Sequence, residues 1–377
     1  MNFDFSDDQK QLRDQARKFL TEKCSPKAVR VVLDGKAPYD KELWKGLAEM
    51  GFLGVAIPEE FGGAGAGAGH LELCVIAEEM GRANAPVPFS STVYLAAEAL
   101  LIAGSDAQKK KWLPAIASGE AIGTLALFEG KGNPAPKNIK LTVTNGVLNG
   151  VKKPVADGAI ADFAVVAART GTSGRDGDIS LFLVDLKAGG IEVKSLTNLD
   201  PTRGQAEISF KDCKAEPLGA AGEGWSILTQ VLDRAAVLCA FEQVGGSDRA
   251  LEMGRDYALD RIAFGRQIGS FQAVKHMLAD MYVSATLARS NSYYGAWALS
   301  TNAAELPEAA AAARISATQA FQHCAKNNIQ VHGGMGFTWE FDCHMYYRRA
   351  NAMALGLGSL SYWEDQLIDR MRKKNAA

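Results

Sequence analysis

Long hydrophobic runs are missing from this chain of 377 residues, as are closely spaced cysteines, clustered histidines and an excess of either charge. No apolar stretch approaches the roughly 18 residues that a membrane span requires, so a helical membrane protein is not expected. The net charge of -2 leaves no electrostatic footprint for nucleic acid. The six cysteines, at 24, 74, 213, 239, 324 and 343, include no Cys-x-x-Cys pair. Several stand in apolar helical context, as Cys239 does in Val237-Leu-Cys-Ala-Phe241. Buried thiols in a reducing cytoplasm are therefore expected, not disulfides or a metal site. The five histidines show no ligand spacing. His344 adjoins Cys343, but adjacent residues on a helix point in different directions. The opening Met1-Asn-Phe-Asp-Phe-Ser-Asp-Asp8 is acidic and polar, unlike a secretory or mitochondrial leader. What is present, 47% hydrophobic residues, suffices for roughly two or three cored domains.

Residues 6 to about 120 read as helices. Ser6 caps a run with Leu12, Ala16, Phe19 and Leu20 on one face, and Leu43, Leu47 and Met50 form a second stripe. Further helices are expected over Leu71–Met80, Thr92–Ile102 and Ala107–Ile116. The glycine-rich Gly62–Gly69 imitates a dinucleotide fingerprint through Gly63, Gly65 and Ala68, with Glu79 downstream. No βαβ alternation follows it, so a surface loop is expected instead.

From about 121 the period changes to two. Short runs at Ile122–Phe128, Ile139–Val143, Val147–Val151, Phe163–Ala168, Ile179–Asp185, Ile191–Leu196 and Ala206–Phe210 are divided by Asn145-Gly146, Asn149-Gly150 and Gly189-Gly190. Strands without intervening helices imply an antiparallel sandwich or barrel. Gly171–Asp178 reads as an exposed hairpin loop. After Pro217, long Ala-rich segments at Trp225–Asp260, Ser270–Thr301 and Pro307–His332, with a final set to Lys374, fit a four-helix bundle. The predicted fold is α+β: an N-terminal all-helical domain (1–120), a central antiparallel β-sandwich or barrel (121–217) and a C-terminal four-helix bundle (218–377).

The stretch Arg261-Ile-Ala-Phe-Gly-Arg-Gln-Ile-Gly-Ser-Phe-Gln272 joins two of the long helices. Gly265 and Gly269 bracket the turn and Ser270 is placed to cap the next helix. Arg261 and Arg266 flank Phe264 at this corner, and a fixed guanidinium fork suits a phosphate or pyrophosphate. Solvated arginines on a helical hairpin are the plainer alternative.

The domain order and several strings resemble the acyl-CoA dehydrogenase family. They are Ala56-Ile-Pro-Glu-Glu-Phe-Gly-Gly63, Ile76-Ala-Glu-Glu-Met-Gly81, the Arg261–Gln272 joint, and Gln330-Val-His-Gly-Gly-Met-Gly-Phe337 running on to Trp339 and Glu340. The resemblance covers essentially the whole chain. It implies an FAD-dependent enzyme that takes an α-proton and a β-hydride from an acyl-CoA thioester and passes electrons to an electron-transfer flavoprotein or similar acceptor. It further implies a homo- or heterotetramer, in which the sheet domain of one chain holds the flavin ring and the neighbouring chain holds the pyrophosphate and adenosine end. By matching position, Arg261, Phe264, Gln272, Gln330, Gly333 and Gly334 belong to that second half.

The first half departs from the family pattern. Where the family carries Phe-Ala-Leu-Thr-Glu-Pro, this chain has Leu125-Ala-Leu-Phe-Glu-Gly130, and where it carries Trp-Ile-Thr/Ser-Asn, this chain has Pro154-Val-Ala-Asp157. Ala156 cannot give the hydroxyl hydrogen bond, a loss of roughly 1 kcal/mol. The family's base positions fall near Leu357 and Ala235, neither acidic. Glu242 lies seven residues beyond Ala235, on roughly the same helix face, in the apolar Ala240-Phe-Glu-Gln-Val244. It is the candidate base, and a buried glutamate paired with an arginine is its plainer alternative. Asp233 is the second choice, and Arg234 the candidate group for the acyl-CoA substrate. Three readings follow: a homo-oligomeric dehydrogenase using Glu242; one chain of a two-chain enzyme resembling the branch that acts on steroid or bile-acid side chains; or a non-catalytic CoA-binding scaffold.

Overall fold

Ser6 begins the described chain's first helix with a reciprocal cap. Its hydroxyl accepts from the Gln9 amide while the Gln9 side chain accepts from the Ser6 amide. The computed structural model describes residues 5–65, 69–173 and 175–376. In chain order the helices are α1 (Asp7–Lys23), α2 (Pro26–Leu33), α3 (Lys41–Glu49), α4 (His70–Arg82), α5 (Glu98–Ala103) and α6 (Asp106–Ala117), followed after the sheet by α7 (Gly224–Asp260), α8 (Gln272–Ser300), α9 (Leu306–His332), α10 (Cys343–Gly356) and α11 (Leu360–Ala376). The strands are β1 (Gly123–Ala126), β2 (Thr142–Thr144), β3 (Val147–Ala156), β4 (Phe163–Arg169), β5 (Ile179–Asp185), β6 (Ile191–Leu196), β7 (Gln205–Lys214), β8 (Glu216–Leu218), β9 (Ile262–Ala263) and β10 (Arg266–Gln267). The predicted order of helices, sheet and helical bundle is the one observed. Met1–Asp4, Ala66–Ala68 of the glycine-rich run, and Gly174 in the predicted hairpin loop lie outside the described residues.

The residues gather into two compact units. One, the helical unit, takes the N-terminal segment to Arg30, the segment His70–Ala85, and everything from Ala236 onward. The other, the sheet unit, takes Val31–Gly69 and Pro86–Ala235, so α7 contributes to both.

In the sheet unit the strands form an eight-stranded sheet in the order β6-β7-β3-β2-β4-β5-β8, with β1 on β4. Most neighbours are antiparallel, as the short connections require, but β1 runs parallel to β4 with Gly123 opposite Phe163. The alternation sends Leu148, Val155, Ala206, Ile208 and Phe210 into one core. Asn145-Gly146 makes the expected tight turn, both residues having positive φ (52° and 74°). Asn149-Gly150, expected as a turn, is instead a bulge inside β3, where the register to β7 shifts between Leu148 and Gly150. The predicted helix over Thr92–Ile102 opens as a π-helix, Ser90–Ala97, before α5 begins.

In the helical unit α9 packs on α8, α10 and α11. Its inner face is alanine: Ala313, Ala317 and Ala320 meet Ala240, Val244 and Ala288. Small residues let the axes approach closely, and α4 meets α7 nearly backbone to backbone. A Cβ at Gly81 would collide with the Glu242 carbonyl, and one at Gly245 with the Glu78 carbonyl. Cys24, Cys74, Cys213, Cys239, Cys324 and Cys343 are all buried thiols. Among the described residues no helix is long and apolar enough to cross a membrane.

Candidate functional site

The corner between α7 and α8 is a two-residue β-hairpin. Arg266 pairs with Ala263 and Gln267 with Ile262, and the turn residues Phe264 and Gly265 both have positive φ (53° and 77°). Glycine takes this conformation at little cost, whereas for a bulky side chain it is an outlier of the kind that gathers at functional sites. The ring of Phe264 is 95% exposed. It meets Phe271 edge-on at 6.2 Å, and Phe271 in turn carries the Arg266 guanidinium over its face at 4.1 Å. Arg266 is thus folded back, while Arg261 and Gln272 are exposed at the same corner. Gly269 is required for a different reason than a positive φ: a Cβ there would lie 2.8 Å from the Ala258 carbonyl. Ser270 does not cap α8. The helix starts at Gln272 with Phe271 as its N-cap, and the Ser270 hydroxyl donates to the Gln267 carbonyl at 2.7 Å, tightening the turn instead.

The second sequence-predicted group lies at the end of α9. Gln330 is exposed, and the helix stops at Gly333 (φ 59°, ψ -136°), a conformation suited to glycine. Space is open around Gly333 and Gly334, where an added Cβ would meet nothing within 4 Å. Two residues that sequence reasoning passed over bring the groups together. Tyr257, one helical turn before Arg261, stacks on His332 with ring centroids 4.2 Å apart, and Phe341 closes on both rings edge-on. The His332 Nδ1 donates to the Asn328 carbonyl at 2.8 Å, and burial pushes the imidazole below its ordinary pKa, which keeps it neutral in the stack. The Tyr257–His332 stack thus brings the Arg261 joint and the Gln330 turn together on the solvent-facing surface of the helical unit.

Glu242 stands elsewhere on α7. The 19-residue separation from Arg261 corresponds to roughly 28 Å of helix. Its side chain is 1% exposed and lies 3.3 Å from the equally buried Arg349 of α10, which also donates to the carbonyls of Asn84 and Ala85 at 3.4 Å. Next to it, Gln243 accepts from the buried Arg314 at 2.8 Å and its amide donates to Thr318 at 3.2 Å. Burial depresses the Arg314 pKa, and the Glu242 carboxylate acts against that depression. Glu242 thus offsets the charge of two buried guanidiniums, Arg349 by contact and Arg314 from a greater distance. Sequence alone gave no sign of Arg314 or Arg349 beyond an arginine set in an alanine run and one of an adjacent pair.

In the sheet unit, Arg234 is held by the buried Glu98 at 2.9 Å, and Asp233 is buried. The segments matching the family's flavin-facing strings are engaged internally. The Ala156 carbonyl accepts from the Thr124 hydroxyl at 2.6 Å, and the Asp157 carboxylate accepts from Ser91 of the π-helix at 2.6 Å. Glu129 accepts from Lys152 at 2.6 Å and from the Lys140 and Leu141 amides at 2.8 and 3.0 Å. Lys152 is 0% exposed, and burial pushes its pKa down to about 8 although Glu129 opposes the shift. In the helical unit, Leu357 is buried and its carbonyl accepts from the Trp363 indole at 3.2 Å, while Glu364 is exposed.

Known proteins resemble this chain along nearly its whole length. Family models for the acyl-CoA dehydrogenase N-terminal, middle and C-terminal domains match residues 6–120, 132–213 and 222–371. Acyl-CoA dehydrogenase IpdE2 of Mycobacterium tuberculosis is 33% identical over 350 residues, 92% of each chain. Among solved structures, a variant of the Tcur3481-Tcur3483 steroid ACAD aligns with a TM-score of 0.88 and 30% identity, over 98% of this chain and 99% of that one. The ChsE4-ChsE5 complex from Mycobacterium tuberculosis aligns with a TM-score of 0.86 and 27% identity, over 100% and 99%. With all of its domain models matched in order, this chain belongs to the acyl-CoA dehydrogenase family.

Proposed function

We propose that this chain takes part in FAD-dependent α,β-dehydrogenation of an acyl-CoA thioester as one chain of a hetero-oligomer, completing a flavin site seated in a second acyl-CoA dehydrogenase-like chain. The observation that carries the reading is the patch made by Arg261, Phe264, Gln272, Gln330, Gly333 and Gly334. It is exposed, its glycines leave open space, and Phe264 is held at a positive φ with its ring outward, touching Phe271 only edge-on. A pyrophosphate fits this donor set, an arginine beside glycine backbone and two carboxamides. The opposite half fits less well, because Ala156 brings no hydroxyl and the strand end is tied to Thr124 and Ser91.

When bound, the flavin supplies the hydride acceptor. What this chain supplies is placement of the cofactor's anionic end. In this reading the domains remain 1–120, 121–217 and 218–377. Two relatives whose names pair two components, the ChsE4-ChsE5 complex and the Tcur3481-Tcur3483 steroid ACAD, lend support. The name of the second favours a bulky steroid-like acyl group as the substrate, and a heterotetramer is the assembly this reading proposes. The second reading, a homo-oligomer with Glu242 as base and Arg234 at the substrate, draws on Glu242 being a carboxylate buried on α7. The Arg349 and Glu98 pairings weigh against it.

Purifying the chain alone and together with its neighbouring-gene product, and measuring flavin per chain, separates the readings. FAD on co-expression at one per two chains, lost in Arg261→Ala, is expected. One FAD per isolated chain with acceptor-dependent turnover refutes the hetero-oligomer. No flavin in either preparation favours a scaffold.

A further inference from the structure

An open cavity of ≈ 320 Å³ lies in the helical unit, walled by residues of α1, α2, α4, α7 and α10 and by none of the flavin patch. We infer that it is a binding site for a small carboxylate with a compact apolar body, its oxyanion held by Arg82 of α4 and Arg249 of α7.

The inference rests on how charge is distributed around the wall. Three guanidiniums line the cavity, those of Arg17, Arg82 and Arg249, against two carboxylates, Glu79 and Asp342. Both carboxylates are already paired. Arg17 donates to the two oxygens of Glu79 at 2.9 and 2.6 Å. Arg30, which is not part of the wall, donates to Asp342 through Nε and Nη2 at 3.2 and 2.7 Å. Arg82 and Arg249 have no such match. Both reach the Oε2 atom of Glu252, Arg249 at 3.3 Å, and Glu252 does not line the cavity. Each guanidinium carries five N–H donors, so two forks sharing one carboxylate oxygen keep donors for an incoming oxyanion.

The opposite imbalance sits behind this wall. Arg289 of α8 donates to both Glu78 and Asp248, and none of these three residues lines the cavity. Arg17, Arg30, Arg82, Arg249 and Arg289 thus balance Glu78, Glu79, Asp248, Glu252 and Asp342 in number. The cavity faces the arginine-rich side of that set, and because attraction falls with distance the nearer guanidiniums dominate there.

The fold holds the two arginines in place. Arg82 ends α4, and its carbonyl accepts from the Tyr346 hydroxyl of α10 at 2.7 Å. The carbonyls of Asn84 and Ala85, just beyond, accept from the buried Arg349 at 3.4 Å. The side chains of Arg82 and Arg249 are 20% and 40% exposed, so a ligand can reach them where water screens them only in part. The same wall carries Leu20, Val29 and Met345. A ring or short chain behind the carboxylate gains from covering them, which a bare inorganic anion cannot. The volume falls at the small end of known ligand pockets, room for one ring with one substituent.

The test titrates the full-length chain by calorimetry with benzoate. Benzamide and benzylamine are its neutral and cationic counterparts, and inorganic phosphate is an oxyanion without the apolar body. Saturable benzoate binding with Kd below about 1 mM is expected, and the other three should bind at least about tenfold more weakly. Two substitutions then break the same ion pair from opposite sides. Arg249→Gln should weaken benzoate about tenfold or more, whereas Glu252→Gln, which releases both guanidiniums, should tighten it about threefold or more. Damage to the local fold would weaken binding in both variants, so opposite signs separate a ligand site from a structural pair. Absence of saturable benzoate binding overturns the proposal, as does benzamide or phosphate binding as tightly as benzoate. So does wild-type affinity in Arg249→Gln, or weakened binding in a Glu252→Gln variant of unchanged circular dichroism.

Discussion

Replacing Arg349 by methionine removes one partner of a buried ion pair and leaves Glu242 in place. The two side chains are each 1% exposed and 3.3 Å apart, so solvent screens them little. At an effective dielectric of about 20, the attraction at that distance amounts to about 5 kcal/mol. Relief of the arginine's own desolvation offsets part of it, and breaking a buried pair from one side costs about 3–5 kcal/mol in net terms. Glu242→Gln is milder, about 1–2 kcal/mol, because the amide oxygen can still accept from Arg349. The double variant should fall short of the sum by about 1–3 kcal/mol, since both changes break the same contact. With two compact units present, a single unfolding midpoint is not the quantity to read. Hydrogen exchange of the α7 and α10 amides reports the opening free energy of this region directly. The ion-pair argument fails if Arg349→Met costs less than about 1 kcal/mol by that measure. It also fails if Glu242→Gln leaves exchange unchanged while turnover of the assembled enzyme drops by about 10² or more, the signature of a lost proton-transfer group.

The buried Lys152 gives a pH prediction with a definite sign. Its folded pKa is depressed to about 8 from 10.5, so the charged form is penalised below pH 8 and that penalty is relieved as pH rises toward 10.5. The wild type, compared with Lys152→Met, should gain up to about 3 kcal/mol of stability across that window, and a flat difference curve from urea unfolding would exclude the shift. Gly81→Ala sets two effects against each other. Helix propensity alone favours alanine by about 1 kcal/mol, while collision with the Glu242 carbonyl costs about 1–3 kcal/mol or more, so hydrogen exchange of the α4 amides should speed up, and slower exchange would mean that α4 and α7 are not in backbone contact.

Much of the fold could be read from local pattern, because helices and strands bury their faces at fixed periods. The ranges of β5 and β6 are as predicted, and those of the long helices agree to within a residue or two. Failures came where a residue's role depends on what crosses it. Ser270 has the chemistry of a cap, but the hairpin ahead of it carries the chain one residue further before α8 begins. Asn149-Gly150 has the chemistry of a turn, but β7 alongside makes it a bulge. The candidate site divides in the same way. Arg261, Phe264 and Gly265 form a corner within a few residues, so their arrangement was visible in the string itself.

By itself the sequence determined the order of elements, the alanine-lined bundle and the tight corner at Phe264, all set by neighbours along the chain. Only the tertiary structure decided that Tyr257 and His332 stack to bring Gln330 beside that corner, that Glu242 is answered by Arg349, and that Arg82 reaches the Glu252 already held by Arg249. The physical reason is that each depends on groups many residues apart whose meeting is fixed by packing, and no periodicity or spacing records which buried polar group will face which.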